Sequence, residues 1–299
     1  MHWLLTASLL WAFSFGLIKR YLPGLPPAWV ACVRLGLSLV LFAPLLRPRA
    51  VRGRTAGALA AVGAVQHGVM YVFYLFSYRS LTGAEVALFT VLTPLYVTLL
   101  HDAGARRLNR LFLLASCLAV AGSAVIVAGG RDTWGTLRGF LLVQAANVCF
   151  AAGQLGYRRV MRAAAGARDR DVFAWVYLGA WLAALLTLPL TGVAAWPQAT
   201  PRQWAVLVYL GVVPSGLAFF LWNAGARRVA SGTLATMNNA KVPLGVLAAL
   251  LVFGETPPLA PLLAGGAAVL LAVWVCERET RPQARVAGCS SRPPPCNGD

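Results

Sequence analysis

Residues 56–78 read AGALAAVGAVQHGVMYVFYLFSY, a run of 23 positions without Asp, Glu, Lys or Arg. An uncharged apolar stretch of this length is typical of a transmembrane helix, because about 20 helical residues cross the ~30 Å hydrocarbon core of a bilayer. In lipid every backbone amide needs an internal hydrogen-bond partner, and a single segment meets this need only as a helix. The run therefore predicts a membrane-spanning helix.

Apolar runs of similar length recur along the chain, separated by connections rich in Pro, Gly and Arg. Together with the first they are 2–18, 28–46, 56–78, 84–100, 110–129, 138–160, 173–192, 203–225, 231–253 and 259–276. The first run has no basic residue ahead of it, so it is interpreted as a retained helix rather than a cleaved signal peptide. The pattern predicts an all-α integral membrane protein with ten transmembrane helices.

Composition supports a membrane protein and argues against a nucleic-acid-binding one. Of the 299 residues 59% are hydrophobic and 12% are charged, and the mean hydropathy is +0.69, whereas soluble chains carry about 25% charged residues. The net charge of +17 comes from Arg residues between apolar runs, where they act as topology signals. The six Cys follow no metal-binding spacing, so we expect neither a metal nor a cofactor.

The distribution of basic residues predicts the orientation. If the N-terminus is cytoplasmic, 18 of the 26 Lys and Arg residues fall in cytoplasmic segments and 6 on the opposite side, while Arg34 and Lys241 lie within helices. Cytoplasmic loops of membrane proteins carry an excess of Lys and Arg. The sequence thus predicts a multi-pass protein of a bacterial inner membrane with both termini in the cytoplasm.

Two motifs recur five helices apart. Gly63 to Gly68 in the third run resembles Gly211 to Gly216 in the eighth, and the spacing from Gly83 to Pro94 in the fourth run equals that from Gly232 to Pro243 in the ninth. Because five is odd, a second copy would insert upside down relative to the first, as in many secondary transporters. We therefore expect two inverted five-helix repeats, residues 1–130 and 131–276, followed by a disordered cytoplasmic tail, residues 277–299.

Lys241 is the strongest candidate for a functional residue. It lies ten residues into the ninth run, about 15 Å along a helix, which is the middle of the membrane. A charge at that depth costs ~2.5–3.5 kcal/mol on the insertion scale and is by default a functional hypothesis. We interpret Lys241, with Asn238 one turn away, as a site for a substrate anion; a buried ion pair or snorkelling to the interface is the structural alternative.

Aromatic and polar side chains share one face of the third helix and recur at matching positions of the eighth. The predicted cavity-lining residues of these two helices are His67, Tyr71 and Tyr74 in the third and Ser215, Phe219 and Trp222 in the eighth. Aromatic walls hold apolar or cationic groups by packing and cation–π contact. For Tyr78, near the end of the third helix, we expect a place in the interfacial aromatic belt. For His67 two further roles stay open: a proton relay, since the unperturbed pKa of His is close to neutrality, and a neutral, hydrogen-bonded structural role.

Three more polar or aromatic positions are predicted to face the same cavity: Trp11 in the first helix and Gln144 and Asn147 in the sixth. Interhelical hydrogen bonds, which contribute ~0.6 kcal/mol on average, are the alternative role for them. Glu85 begins the fourth helix and is expected to cap it. For Arg34 we expect snorkelling or pairing with Glu85.

Several segments together resemble the EamA-type members of the drug/metabolite transporter superfamily. They are Leu9 to Phe15 in the first helix, Pro27 to Leu35 at the start of the second, Thr93-Pro94-Leu95-Tyr96 in the fourth, and Val242-Pro243 and Phe253-Gly254-Glu255 in and after the ninth. The resemblance covers residues 1–276 and implies inverted repeats, cytoplasmic termini and export of amino acids, amines, nucleosides or related metabolites.

The leading hypothesis is a secondary transporter, with export as the expected direction, of a small metabolite such as an amino acid or a carboxylate. It would work by alternating access, with Pro94 and Pro243 as helix hinges, in the lipid bilayer as a monomer or homodimer. The alternative is a membrane-embedded enzyme acting on a lipid or isoprenoid. The chain contains no His-Glu-x-x-His, no Gly-x-Ser-x-Gly and no ATP-binding P-loop, which argues against an enzyme and against a self-powered pump.

Overall fold

A computed structural model describes residues 2–103, 110–130, 132–164, 166–193, 195–229, 231–272 and 274. The predicted tail of residues 277–299 lies outside the described residues. All regular elements of the described part are helical. They are α1 His2–Tyr21, α2 Pro27–Phe42, α3 Gly53–Ser77, α4 from Gly83–Phe89 through Thr93–Ala103, α5 Arg110–Ala128, α6 Thr133–Ala163, α7 Asp169–Leu190, α8 Pro201–Ala226, α9 from Ser231–Leu247 through Ala248–Val252, and α10 Leu259–Ala272.

Over the described residues, six segments are both long and apolar enough to cross a membrane. They are Pro27–Leu45, Gly53–Ser77, Gly83–Leu100, Thr133–Ala163, Asp169–Leu190 and Pro201–Ala226, and shorter apolar helices cover Cys117–Ala128, Met237–Val252 and Leu259–Ala272. An all-helical fold with several membrane spans is thereby established. Ten crossings stay a prediction.

Large apolar side chains point outward from these helices, which is what a lipid solvent requires. Leu190 is 84% exposed and Leu251 79% exposed, whereas Arg34, Ser38 and His67 are almost completely buried. In water this distribution would be unfavourable, but lipid tails are as apolar as Leu, and polar groups in a bilayer face the interior of the bundle. The molecule therefore has a polar interior inside an apolar shell.

Glycines let pairs of helices approach at backbone distance. A Cβ on Gly63 of α3 would lie 1.8 Å from the carbonyl oxygen of Val176 in α7, and one on Gly179 of α7 would lie 1.9 Å from the carbonyl oxygen of Ala60 in α3. Small residues at helix contacts are the usual basis of helix association in membranes, since van der Waals packing replaces the hydrophobic effect there. This contact fixes α3 against α7.

α3 and α8 each contain a π-helical turn, at Ala64–Val69 and at Gly211–Ala218. The second contains Pro214, which has no N–H to donate. The Leu210 carbonyl, four residues before Pro214, accepts the Ser215 hydroxyl at 2.7 Å, and the carbonyls of Ser215 and Gly216 accept hydrogen bonds from the Tyr177 hydroxyl at 2.5 and 2.7 Å. Single π turns inside α-helices are frequent at functional sites, and these two occur where the sequence motifs match.

The start of α4 confirms the predicted cap. The Thr82 hydroxyl accepts from the Glu85 backbone N–H, and the Glu85 carboxylate accepts from the Thr82 N–H at 2.8 Å, so both halves of a capping box are present. Tyr78, by contrast, does not lie in an interfacial belt. It is buried, and its hydroxyl is 2.7 Å from that of Tyr74, because the end of α3 packs inside the bundle rather than against lipid.

Candidate binding cavity

A cavity lies between α1, α2, α3, α4, α6, α8 and α9. Its lining residues are Trp11, Ser14, Phe15, Arg34, Met70, Tyr71, Tyr74, Thr90, Thr93, Ala146, Asn147, Phe150, Phe219 and Lys241. Pockets for small molecules commonly have mostly apolar walls and a few polar groups that set orientation. The cavity has that composition.

Lys241 lies on the cavity wall, as the sequence predicts. Its ammonium donates to the Asn238 side-chain oxygen at 3.0 Å and lies 4.9 Å from the centroid of the Trp11 ring and 5.8 Å from that of Phe150. Aromatic faces attract a cation through their quadrupole. A buried charge is therefore held by one amide oxygen and two rings, which excludes both snorkelling and a dry ion pair with a described carboxylate.

Arg34 is a second cation lining the same cavity, and the expectation for it was wrong. It neither snorkels nor pairs with Glu85: it is 1% exposed, its Nε donates to the Ser215 hydroxyl and its Nη2 to the Tyr71 hydroxyl, each at 3.1 Å. The reason is that Arg34 falls on the face of α2 that packs against α3 and α8. Glu85 is engaged in its own capping box instead.

No described carboxylate neutralises these two cations. The ion pairs among the described residues are made by Asp169 and Asp171 at the start of α7, with Arg227, Arg47 and Arg170. Buried charges are strongly unfavourable unless they are paired or hydrogen-bonded. The cavity therefore carries positive charge that an anionic ligand would compensate.

Aromatic rings form the rest of the wall. Phe219 packs against Trp11 with ring centroids 4.8 Å apart and against Tyr71 at 5.8 Å, while Phe150 approaches Trp11 at 6.2 Å. Tyr74 meets Phe15 at 6.3 Å. These rings come from four helices, so the aromatic surface exists only in the folded bundle.

Five predicted site residues do not line the cavity but support those that do. Ser215 holds Arg34, Asn238 holds Lys241, and Gln144 accepts a hydrogen bond from Asn147 at 3.1 Å. Trp222 is fully buried behind Trp11, with centroids 5.2 Å apart, and donates to Gln154. His67 is the fifth.

His67 is placed behind the wall and not on it. Its ring packs edge-on against Phe219 at 4.5 Å and stacks on Tyr177, and neither ring nitrogen has a hydrogen-bond partner among the described residues. The i, i+4 spacing to Tyr71 predicts one face, but His67 lies inside the π turn, whose wider winding shifts the register of the helix. His67 therefore does not line the cavity, and its predicted contact with substrate stays a prediction.

The two predicted hinges sit at irregular points of their helices. Pro94 follows the 3-10 turn Thr90–Leu92 of α4, and Pro243 lies in α9 shortly before the π turn Ala248–Val252. Proline removes an intrahelical hydrogen bond. Bending at these positions stays a prediction.

Sequence reasoning missed several lining residues besides Arg34. They are Ser14, Met70, Thr90, Thr93, Ala146 and Phe150. Phe150 lies one turn after Asn147, and Ser14 one turn after Trp11, so helical periodicity alone could have added both. Thr90 and Thr93 carry no such signal, because short hydroxyl side chains in a membrane helix often bond their own backbone, as both do here.

A second polar cluster lies where α9 ends. The Glu255 carboxylate accepts the backbone N–H of Ala84 at 3.0 Å, and the nearby Lys19 ammonium donates to the carbonyls of Tyr78 and Leu81. Burial raises the pKa of Glu255 above its ordinary value, against the smaller lowering effects of the α4 backbone amides and Lys19. This carboxylate ties the segment after α9 to the start of α4.

Comparison with known proteins gives the family. The EamA-like transporter family model matches residues 1–128 and again 137–276. The chain is 39% identical to a protein named biotin transporter from Salmonella typhimurium, with all of both chains covered, and 43% identical to a probable biotin transporter of Pseudomonas aeruginosa, covering 92% of this chain and 96% of that one. A crystal structure superposes with a TM-score of 0.62 at 23% identity over 94% of this chain and 97% of the other, which shows a common fold. The chain belongs to the EamA-like transporter family.

Proposed function

We propose that this chain is a secondary transporter that carries a small carboxylate metabolite across the bacterial inner membrane, binding it in the cavity between Arg34 and Lys241. One observation carries the proposal: two buried cations share one aromatic-walled cavity in which no described carboxylate pairs with either. A substrate anion would supply the missing counter-charge.

Electrostatics favours a net anion over a zwitterion. Two like charges facing one space raise the free energy of the empty cavity, and an anion lowers it at both positions. A free amino acid would bring its own ammonium into the same field. We therefore place simple carboxylates ahead of amino acids, the other substrate class that the sequence suggested.

Biotin is the first candidate substrate. The relatives at 39% and 43% identity carry its name, and its chemistry matches the cavity. It has one carboxylate, a compact bicyclic body suited to packing against Trp11 and Phe219, and a ureido group that needs hydrogen-bond partners.

For the architecture we propose ten crossings in two inverted five-helix repeats, residues 1–130 and 131–276, with both termini cytoplasmic. The two separate family matches, residues 1–128 and 137–276, support the duplication. So do the π turns of α3 and α8, which fall at matching positions. The excess of Arg in alternate loops supports the orientation.

In the proposed mechanism the two repeats rock about the cavity and expose it to one side of the membrane at a time. Pro94 and Pro243 would serve as hinges. With no P-loop in the sequence, the energy would come from a gradient of the substrate or of a co-transported ion.

The test is counterflow of labelled biotin in proteoliposomes, which reports binding and translocation without requiring the driving ion. Wild type should accumulate label above protein-free vesicles, and Lys241→Ala should reduce the initial rate by about tenfold or more, since hydrogen bonds to charged groups contribute ~1.5–3 kcal/mol. Arg202→Gln is the matched control, because Arg202 is an exposed cation that contacts Tyr21 outside the cavity. Absence of counterflow in wild type would exclude biotin, and a wild-type rate in Lys241→Ala would exclude this cavity.

A further inference from the structure

The donors of Arg34 are only partly used, and the used ones lie along one edge. Nε and Nη2 point at Ser215 and Tyr71, whereas Nη1 is buried without a partner among the described residues. A guanidinium carries five N–H donors in a rigid fork. Once the Nε edge is occupied, the edge formed by Nη1 and Nη2 is left for a ligand.

The groups that hold Arg34 cannot themselves donate into the cavity. The Ser215 hydroxyl donates to the Leu210 carbonyl at 2.7 Å, so it accepts from Tyr71, whose hydroxyl lies 3.0 Å away. Tyr71 in turn accepts from Arg34. Both hydroxyl protons are therefore used within the network: that of Tyr71 by Ser215 and that of Ser215 by Leu210. The network holds the guanidinium in place and leaves its Nη1–Nη2 edge as the donor for a ligand.

Lys241 presents a different set of donors. Its ammonium is bound by the Asn238 side-chain oxygen and two aromatic faces, and the Asn238 side-chain N–H₂ is buried without a described partner. The ammonium lines the cavity and has further N–H donors besides the one given to Asn238, so it suits a single oxygen acceptor. Because the rings of Trp11 and Phe150 already stabilise the charge, this acceptor need not be anionic.

We propose that the cavity has two distinct poles, in which Arg34 binds the substrate carboxylate through Nη1 and Nη2, and Lys241, held by the Asn238 side-chain oxygen, binds a neutral carbonyl oxygen at the other end of the substrate. A planar guanidinium edge matches a carboxylate with two parallel hydrogen bonds, which an ammonium cannot do. For biotin the neutral acceptor is the ureido carbonyl. This assignment rests on the proposed function, and it reverses the simplest expectation that Lys241 takes the anion.

The experiment changes ligand and protein together. Dissociation constants are measured for purified wild type, Arg34→Gln and Lys241→Gln with three probes: biotin, biotinamide, which lacks the negative charge, and 2-iminobiotin, in which a protonated imine replaces the ureido carbonyl. Each result is a ratio of two affinities in one preparation, so a loss of folded protein cancels. Arg34→Lys, which keeps the charge without the fork, is the conservative variant.

In wild type, biotin should bind roughly 10- to 100-fold more tightly than biotinamide, the range expected for charge-assisted hydrogen bonds. Arg34→Gln should reduce this preference for biotin over biotinamide to about threefold or less. Arg34→Lys should give a preference between those of Arg34→Gln and wild type, and Lys241→Gln should retain the wild-type preference. The preference for biotin over 2-iminobiotin, measured as the ratio of their dissociation constants, should be lost in Lys241→Gln and retained in Arg34→Gln.

Two results would overturn the assignment, and they are distinguishable. If the carboxylate preference disappears in Lys241→Gln and persists in Arg34→Gln, the poles are reversed while the proposed function stands. If wild type binds none of the three probes, the proposed substrate fails and the assignment fails with it.

Discussion

The ammonium of Lys241 lies 4.9 Å from the ring centroid of Trp11, although α9 and α1 are at opposite ends of the chain. The same indole donates its N–H to the Pro214 carbonyl in α8 at 2.9 Å. This hydrogen bond to the π turn of α8 holds the Trp11 ring with its face toward the Lys241 ammonium. The two repeats proposed above meet at this contact.

Replacing Trp11 with Leu should weaken biotin binding about 3- to 30-fold, because a cation–π contact contributes ~0.5–2 kcal/mol. The measurement is the dissociation constant from titration of the purified variant. Trp29→Leu is the control: Trp29 is equally buried but packs against Trp196 and Trp204, away from the cavity. Equal losses of affinity in the two variants would contradict a specific role for Trp11.

Removing the hydroxyls that orient Arg34 should weaken binding without removing the charge. We expect Tyr71→Phe and Ser215→Ala each to raise the KM for transport several-fold, and the double variant to cost less than the sum, since both hydroxyls hold one guanidinium. Tyr78→Phe removes a hydroxyl from the same helix without touching Arg34 and should leave KM unchanged. Strict additivity, or an equal effect of Tyr78→Phe, would refute the positioning role.

The backbone contact of α3 with α7 should make Gly63→Ala destabilising. Its Cβ would collide with the Val176 carbonyl, and overpacking costs ~1–3 kcal/mol, so the melting temperature in detergent should fall by several degrees. Gly57→Ala, on the same helix and with nothing within 4 Å of its Cβ position, should leave it unchanged or raise it. A similar change in both variants would speak against the close contact.

Glu255 should give stability a specific pH dependence. Burial raises its pKa in the folded protein, so the neutral acid is favoured in the fold and the charged form is penalised. That penalty is absent below the unfolded pKa and grows as pH rises through the folded pKa. Glu255→Gln, which removes the charge, should therefore gain melting temperature over wild type as pH increases.

The measurement for Glu255 is thermal unfolding of both proteins from acid to neutral pH. Taking the difference between them removes the contributions of the other carboxylates, which both proteins share. A difference that stays constant, or that shrinks as pH rises, would show that Lys19 and the α4 amides outweigh burial at this position.

Much of the fold follows from local patterns. Runs such as 56–78 predict the helix Gly53–Ser77 closely, and Thr82 with Glu85 predicts a cap that the structure confirms. These features depend on residues within a few turns of one another. The lipid solvent restricts the choice further, because it leaves a single segment no alternative to a helix.

The site was predicted less completely, and the errors have a common cause. His67 was assigned to the wall because a regular helix would put it on the face of Tyr71, but the π turn changed the register. Arg34 was assigned to the membrane interface or to an ion pair with Glu85. Its actual partners, Tyr71 and Ser215, lie 37 and 181 positions away in the sequence, so the local sequence did not indicate them. Neither π turns nor such distant partners leave a readable local signal.

The sequence by itself determined that the chain is helical, that its solvent is a bilayer, and that groups such as Lys241 and Asn147 are buried where burial is costly. Only the tertiary structure decided which of these groups meet: that Arg34 and Lys241 line one cavity, and that His67 packs against Phe219 without lining that cavity. The physical reason is that hydrophobicity and helix formation are set by the residues of each segment. Contacts between helices depend instead on register, glycine packing and irregular turns that act across the whole bundle.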